Sequence, residues 1–233
     1  MEKDLSRWVP PAPPNNTPMR GTHIGLERLD ADLHATDLHR AFTEHDSLWT
    51  YMPYGPFTSA AAYHRWAKEM AAQSDPHFFV LRNLASGHCG GVASFLRISP
   101  SAGSIEVGHI CISPELQKTV HATEAMFLMM QWAFDSGYRR YEWKCDAKNM
   151  ASRRAAQRLG FSYEGIFRQA AVIKGRNRDT AWFSVIDAEW PALREAYHAW
   201  LSPSNFDARG RQKESLSDLT RLVRAYNDPA LRG

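Results

Sequence analysis

The chain has 233 residues, of which 44% are hydrophobic and 23% charged, with a formal net charge of +3. That length fits one domain with extensions, the apolar content excludes a disordered chain, and the charge is too small to define a nucleic-acid surface. Cys89, Cys111 and Cys145 lie far apart without zinc-ligand spacing, so no metal is expected and the setting reads as reduced and cytoplasmic. No run of about eighteen apolar residues and no signal-peptide pattern occurs, so no membrane partner is expected.

Residues 1–20 hold Pro10, Pro11, Pro13, Pro14 and Pro18, too many for a helix or a central strand, and read as a surface arm. A short strand at 23–28 precedes a helix over 32–45. The aromatic segment 49–57 reads as a loop, and Ser59 caps a second helix carrying Ala62, Tyr63, Trp66 and Met70 on one face. Three strands, 77–83, 91–98 and 105–112, are separated by turn signals and form an antiparallel meander. A long helix over 122–136, with Met126, Met129, Met130, Ala133 and Phe134 at helical spacing, is stopped by Gly137. A strand at 141–145, a helix at 151–159 and strands from 161 and at 179–187 follow. Trp190, Leu193, Tyr197, Trp200 and Leu201 mark a last packed helix. These elements divide the chain into the arm (1–20), a folded domain (21–201) and a polar appendage (202–233) with a weak helix near 216–226.

The strand at 105–112, a polar loop and the long helix form a strand-loop-helix unit, and the start of such a helix favours phosphate oxygens through its unpaired N–H groups and its dipole. The loop has neither a P-loop nor a dinucleotide fingerprint. Gln117-Lys118-Thr119-Val120-His121-Ala122 instead resembles the Gln/Arg-x-x-Gly-x-Gly/Ala pyrophosphate loop of the Gcn5-related N-acetyltransferases, with Val120 in place of the central glycine. Asn149-Met-Ala-Ser152 followed by Leu159-Gly-Phe161 is similar to a segment of the branch containing ribosomal-protein N-terminal acetyltransferases. Lys174-Gly-Arg-Asn-Arg-Asp179 looks like the strand entry that follows it. The resemblance covers 23–201.

The resemblance implies an α/β (α+β) fold with a mixed, mostly antiparallel sheet, a splayed parallel strand pair and flanking helices. It implies transfer of acetyl from acetyl-CoA to a primary amine by direct attack, with no metal, in a monomer or homodimer whose partners are acetyl-CoA and the amine. By the same resemblance Cys111, Ile112, Gln117, Lys118, Thr119, Val120, His121, Ala122, Thr123, Asn149 and Ser152 would hold the coenzyme. A coenzyme-A-binding module without turnover is the alternative, because Val120 departs from the loop pattern and Ala156 stands where many relatives carry an acid tyrosine.

Glu106, in an otherwise apolar strand, is the candidate base; the plainer reading is an ion pair with a nearby arginine. Strand alternation puts His109 on the opposite face, as a packing residue. Ser152 is the candidate acid and Asn149 a coenzyme contact, although both also fit helix capping. Trp49, Tyr51, Met52 and Tyr54 would wall the acceptor pocket together with Glu106, or fill core. The group Arg139, Arg140, Arg153, Arg154 and Arg158 meets a coenzyme phosphate or forms a solvated face.

Overall fold

The computed structural model describes residues 4–231. The proline-rich arm runs over the surface, with the Trp8 ring 5.7 Å from the Arg139 guanidinium and the Ala12 carbonyl accepting from the Tyr138 hydroxyl at 3.2 Å. It ends in β1 (Met19–Arg20), which pairs with β2 (Ile24–Arg28). Helix α1 (Ala31–Phe42) is capped by the Asp30 carboxylate, which accepts from the N–H groups of Asp32 and Leu33. It stops before the expected residue 45 because Thr43 turns extended and Glu44 takes a positive φ of 68°. Ser59 caps α2 (Ala60–Ala71) through its hydroxyl.

Strands β3 (His77–Asn83), β4 (Cys89–Ser99) and β5 (Ser104–Ile112) form the meander. Helix α3 (Val120–Asp135) begins two residues before the expected start. Strand β6 (Arg140–Asp146), helix α4 (Met150–Arg158), strands β7 (Ser162–Ile173) and β8 (Arg176–Ile186), and helix α5 (Trp190–Leu201) complete the body. Between β7 and β8, Lys174 and Gly175 both have positive φ, 48° and 74°, the geometry of a two-residue hairpin turn.

The sheet order is β1-β2-β3-β4-β5-β6-β8-β7. Every neighbouring pair is antiparallel except β5 and β6, which pair in parallel only from Ser104 with Arg140 to Val107 with Trp143. Both strands run on beyond that point, so they splay. Side chains on one sheet face, among them Phe95, Val107, Tyr141 and Phe183, pack under α3 and α5; Phe78, Val80 and Val92 on the other face pack under α1 and α2. The antiparallel sheet with one splayed parallel pair matches the fold the sequence implied.

Residues 202–231 are tied into the body, despite their polar composition. Leu216, at the start of α6 (Leu216–Arg221), is fully buried in the α3/α5 core. Asp228 is also buried and accepts from Arg153 Nε at 2.6 Å and Nη2 at 2.5 Å. The Tyr226 carbonyl accepts from the Tyr163 N–H.

Candidate active site

One cavity of about 1530 Å³ runs from the tail, past the start of α3, into the gap between β5 and β6. Its first end is formed by the loop before α3, the first turn of that helix and the tail. Lys118 has a positive φ of 61°, which turns the loop so that α3 starts at Val120. The Thr119 hydroxyl donates to the Leu116 carbonyl at 2.6 Å and leaves the helix start uncapped, so the N–H groups of Val120, His121 and Ala122 have no helical acceptor. Gln117 folds back to donate to the Ile112 carbonyl at 2.8 Å. Val120 is therefore the first residue of a helix, and the left-handed position belongs to Lys118.

Buried Glu124, one turn into α3, accepts from the N–H groups of Thr22, His23 and Ile24 at 2.8, 2.7 and 2.9 Å. This carboxylate fastens the start of β2 to the helix and brings His23 within 5.8 Å of His121, ring to ring. Of the five arginines expected to meet phosphate or solvent, Arg158 faces the cavity, with its guanidinium over Trp200 and a bond to Thr123. Arg153 is consumed by Asp228, Arg140 by Glu142 and Glu164, and Arg139 lies against Trp8.

The other end is built from charged side chains. Glu106 is only 3% exposed and accepts from Arg97 Nη1 on both oxygens, at 2.8 and 2.7 Å, while Lys144 Nζ lies 2.9 Å from Oε2. Burial raises its pKa, opposed by Lys144 and Arg97. Lys144 also pairs with Glu142 at 2.7 Å and sits 3.7 Å from the centre of the Trp182 ring. The ion pair foreseen as the plainer reading is present, and Glu106 still lines the cavity.

His109 lines the same cavity, contrary to strict alternation. The pairing of β4 with β5 steps from Val92 with Cys111 to Ser94 with Gly108, so β5 carries an extra residue, and His109 takes a φ of 50° in this bulge. Its Nδ1 lies 2.9 Å from the Tyr54 hydroxyl and the two rings stack. Burial, with the nearby charges of Arg97 and Arg178, pushes its pKa down to about 4.

The aromatic segment divides. Tyr51 and Met52 line the cavity, and the Tyr51 hydroxyl donates to the Lys148 carbonyl at 3.3 Å. Trp49 and Tyr54 do not. Trp49 is 2% exposed, edge-on to Phe42 and Phe57, and Tyr54 packs on Trp66 and His109, so both fill the α1/α2 core. Expecting all four to wall the pocket fails because a loop with this many rings buries the largest of them.

Asn149 caps α4 by accepting from the Ser152 N–H at 3.0 Å, and Ser152 Oγ accepts from Trp143 Nε1 at 3.0 Å. Both residues face the cavity beside Cys145. Cys111 is buried, and its thiol is pushed up to about 12 by burial. Such a thiol is inert, so what strand β5 offers at Cys111 and Ile112 is backbone. Sequence reasoning missed Arg97, Lys144 and Arg178, which also line this end. A signal was available for Lys144: in 141–145 it falls on the polar side of an alternation with Tyr141, Trp143 and Cys145.

Elsewhere Glu27, His34 and Cys89 bring ligand-type atoms together. His34 Nδ1 accepts from the Asp30 N–H, so Nε2 carries the proton and donates to Glu27, which Arg82 also engages. Hydrogen bonds thus occupy this cluster.

An uncapped helix start beside a splayed parallel pair, with a cavity joining them to a charged pocket, fits the class of acyl-coenzyme-A-dependent transferases that comparison with known proteins shows. Residues 23–162 match the acetyltransferase (GNAT) domain family. The chain is 44% identical to a GCN5-related N-acetyltransferase from Brucella melitensis, with a TM-score of 0.91 over 93% of this chain and 100% of that one. It is 42% identical to a probable GNAT-family acetyltransferase from Chromobacterium violaceum, with a TM-score of 0.78 over 82% and 97% of the two chains. The fold is shared with the microcin C7 self-immunity acetyltransferase MccE, solved with acetyl-CoA and AMP, at 20% identity and a TM-score of 0.64 over 71% and 93%. No curated protein matches. The chain belongs to the GNAT acetyltransferase family and is an acyl-CoA-dependent acetyltransferase.

Proposed function

We propose that the chain acetylates a primary amine by direct attack on the thioester of acetyl-CoA, with the coenzyme along the start of α3 and the amine entering between Tyr51, Met52 and Arg97. The observation that carries this reading is the single cavity joining the free N–H groups of Val120, His121 and Ala122 to Glu106 through the β5/β6 gap. Its volume exceeds the usual range for one small ligand, which leaves room for two reactants.

In this reading the amine nitrogen bonds to the acetyl carbon, the carbon–sulfur bond breaks, and the sulfur takes a proton as the amine loses one. Glu106, made more basic by burial, accepts the amine's proton through water, and Lys144 and Arg97 hold the carboxylate in place. Ser152 accepts from Trp143 and also hydrogen-bonds the Cys145 thiol, so its hydroxyl donates to the departing thiolate by turning from Cys145. Strand backbone at Cys111 and Ile112 aligns the pantetheine arm, and this positioning supplies much of the rate. The Asn149 to Phe161 resemblance favours α-amines of amino acids or peptides as acceptors.

The test is thiol release from acetyl-CoA across an amine panel, run beside thermal unfolding with and without coenzyme. Stabilisation with turnover of at least one amine is expected. Stabilisation without any turnover would favour a binding module, and no stabilisation at millimolar coenzyme overturns the coenzyme site.

A further inference from the structure

The charges around Glu106 balance one by one. Arg97, Lys144 and Arg140 contribute three positive charges, and their partners Glu106, Glu142 and Glu164 three negative ones, so the network is neutral. Arg178 on β8 lies outside it. Its guanidinium makes no hydrogen bond or ion pair with any described residue, and its Nε is enclosed by protein without an acceptor. Asp146, across the sheet, accepts the Lys148 N–H and makes no ion pair with Arg178. Arg178 is therefore a cation in the cavity wall with no carboxylate partner among the described residues.

Its place on β8 says where that charge acts. Ala181, Phe183 and Val185 turn into the α3/α5 core, so by alternation Arg178 shares the opposite face with Trp182, the ring on which Lys144 rests. The neighbouring hairpin turn is tied to the aromatic loop, where the Trp49 carbonyl accepts from Lys174 Nζ at 2.9 Å. Arg178 thus lines the same cavity as Tyr51, Met52 and Ile173, near enough to His109 and Cys145 for its charge to act on both, on the proposed acceptor side. A guanidinium offers a planar set of donors that fits carboxylate or phosphate oxygens, and an enclosed N–H without an acceptor calls for one.

We propose that the acceptor amine carries an oxyanion, a carboxylate or a phosphate, which Arg178 binds. This rests on the acetyl-transfer reading above and narrows its substrate class to anionic amines. Arg178 selects the acceptor, and the neutral network around Glu106 leaves the reacting amine free of a competing charge.

The experiment compares matched amines that differ in charge: alanine and phenylalanine against their amides, and O-phosphoethanolamine against ethanolamine. The full chain and Arg178→Gln are assayed for kcat/KM and for coenzyme Kd. At least a tenfold preference for one anionic member is expected, falling to below threefold in Arg178→Gln with coenzyme Kd within twofold. Arg178→Lys should recover part of it. Which pair responds separates carboxylate from phosphate. A second arm reads the shift in melting temperature caused by each amine in the presence of coenzyme A. It decides the proposal even where no amine turns over, which would count against acetyl transfer alone. Anionic probes should stabilise the native chain and not Arg178→Gln. No charge preference in either arm, a preference that survives Arg178→Gln, or a loss of coenzyme affinity in its place overturns the assignment.

Discussion

At the coenzyme end of the cavity the proposed contacts come from consecutive residues, 117–122, and consist largely of backbone N–H groups. At the acceptor end Arg97, Glu106, Lys144 and Arg178 come from four different strands, and their chemistry is side-chain charge. A backbone site tolerates sequence change as long as the loop keeps its path, which is how valine stands at the start of α3 where the family pattern has glycine. The paired charges there, Arg97, Glu106 and Lys144, tolerate little, because each member holds its neighbours. Substitutions within that paired network should therefore slow the reaction severely while sparing the coenzyme, and those at the other end should alter affinity by small steps.

The largest effect is expected for Glu106→Gln, which should lower kcat/KM by about 10²- to 10⁴-fold, the range for a lost general base, with coenzyme Kd nearly unchanged. Its pH profile separates base from mere ion-pair partner. In the native enzyme kcat/KM should fall on the acid side, as the carboxylate whose pKa burial has raised takes up a proton. Glu106→Gln should lack that limb. An unaltered limb would remove Glu106 from the proton transfer. Next comes Asp228→Ala, which leaves Arg153 charged and unpaired in a buried place and should cost roughly 3 kcal/mol in denaturant unfolding. A loss below about 1 kcal/mol would mean that the tail contributes little to the body.

The contrast between the two ends also explains what could be read from the sequence. Strand periodicity, the Ser59 cap and the α3 pattern are local signals, and the structure has these elements within a few residues. The 117–122 loop is contiguous and was visible as a motif. Of the acceptor end Glu106, Tyr51 and Met52 were visible but the charges around them were not, because Glu106 meets Arg97 through β4–β5 pairing and Lys144 across the parallel pair, and neither register is written locally. The bulge at His109 shifts the alternation on which its placement depended. Residues 202–231 read as an appendage because one buried leucine and one buried ion pair, Leu216 and Arg153 with Asp228, leave little mark on a polar composition.

The same bulge gives a stability prediction of middle size. The pKa values of His109 and His77 are both pushed down to about 4 by burial, so below pH 6.5 the unfolded chain binds protons that the folded chain refuses. Stability should decline as pH falls from about 6.5 toward 4, by an amount on the order of 2 kcal/mol per histidine. His109→Gln should remove part of that slope in urea titrations at stepped pH. An unchanged slope would show that His109 is protonated in the folded state.

The smallest effect expected lies at the coenzyme end, where the permanent charges of Lys118 and Arg158 do not change with pH near neutrality and the pH dependence enters through His121. In the free protein burial and the neighbouring His23 lower its pKa, while Glu124 and Glu115 act in the opposite sense. Glu124 is committed to three backbone N–H groups, and Lys118 on the loop adds a further positive charge. A pyrophosphate at the start of α3 would place negative charge beside the ring and favour imidazolium, so binding should take up a proton. Coenzyme Kd should then tighten about three- to tenfold from pH 8 to pH 6, a factor of ten corresponding to one unit of pKa change. The terminal phosphate of the coenzyme titrates near pH 6 and loses charge in the same interval, which works against binding. Dephospho-coenzyme A, which lacks that group, should show the steeper slope. His121→Gln should flatten both slopes to within about twofold, and a slope that persists in the variant would take His121 out of the coupling.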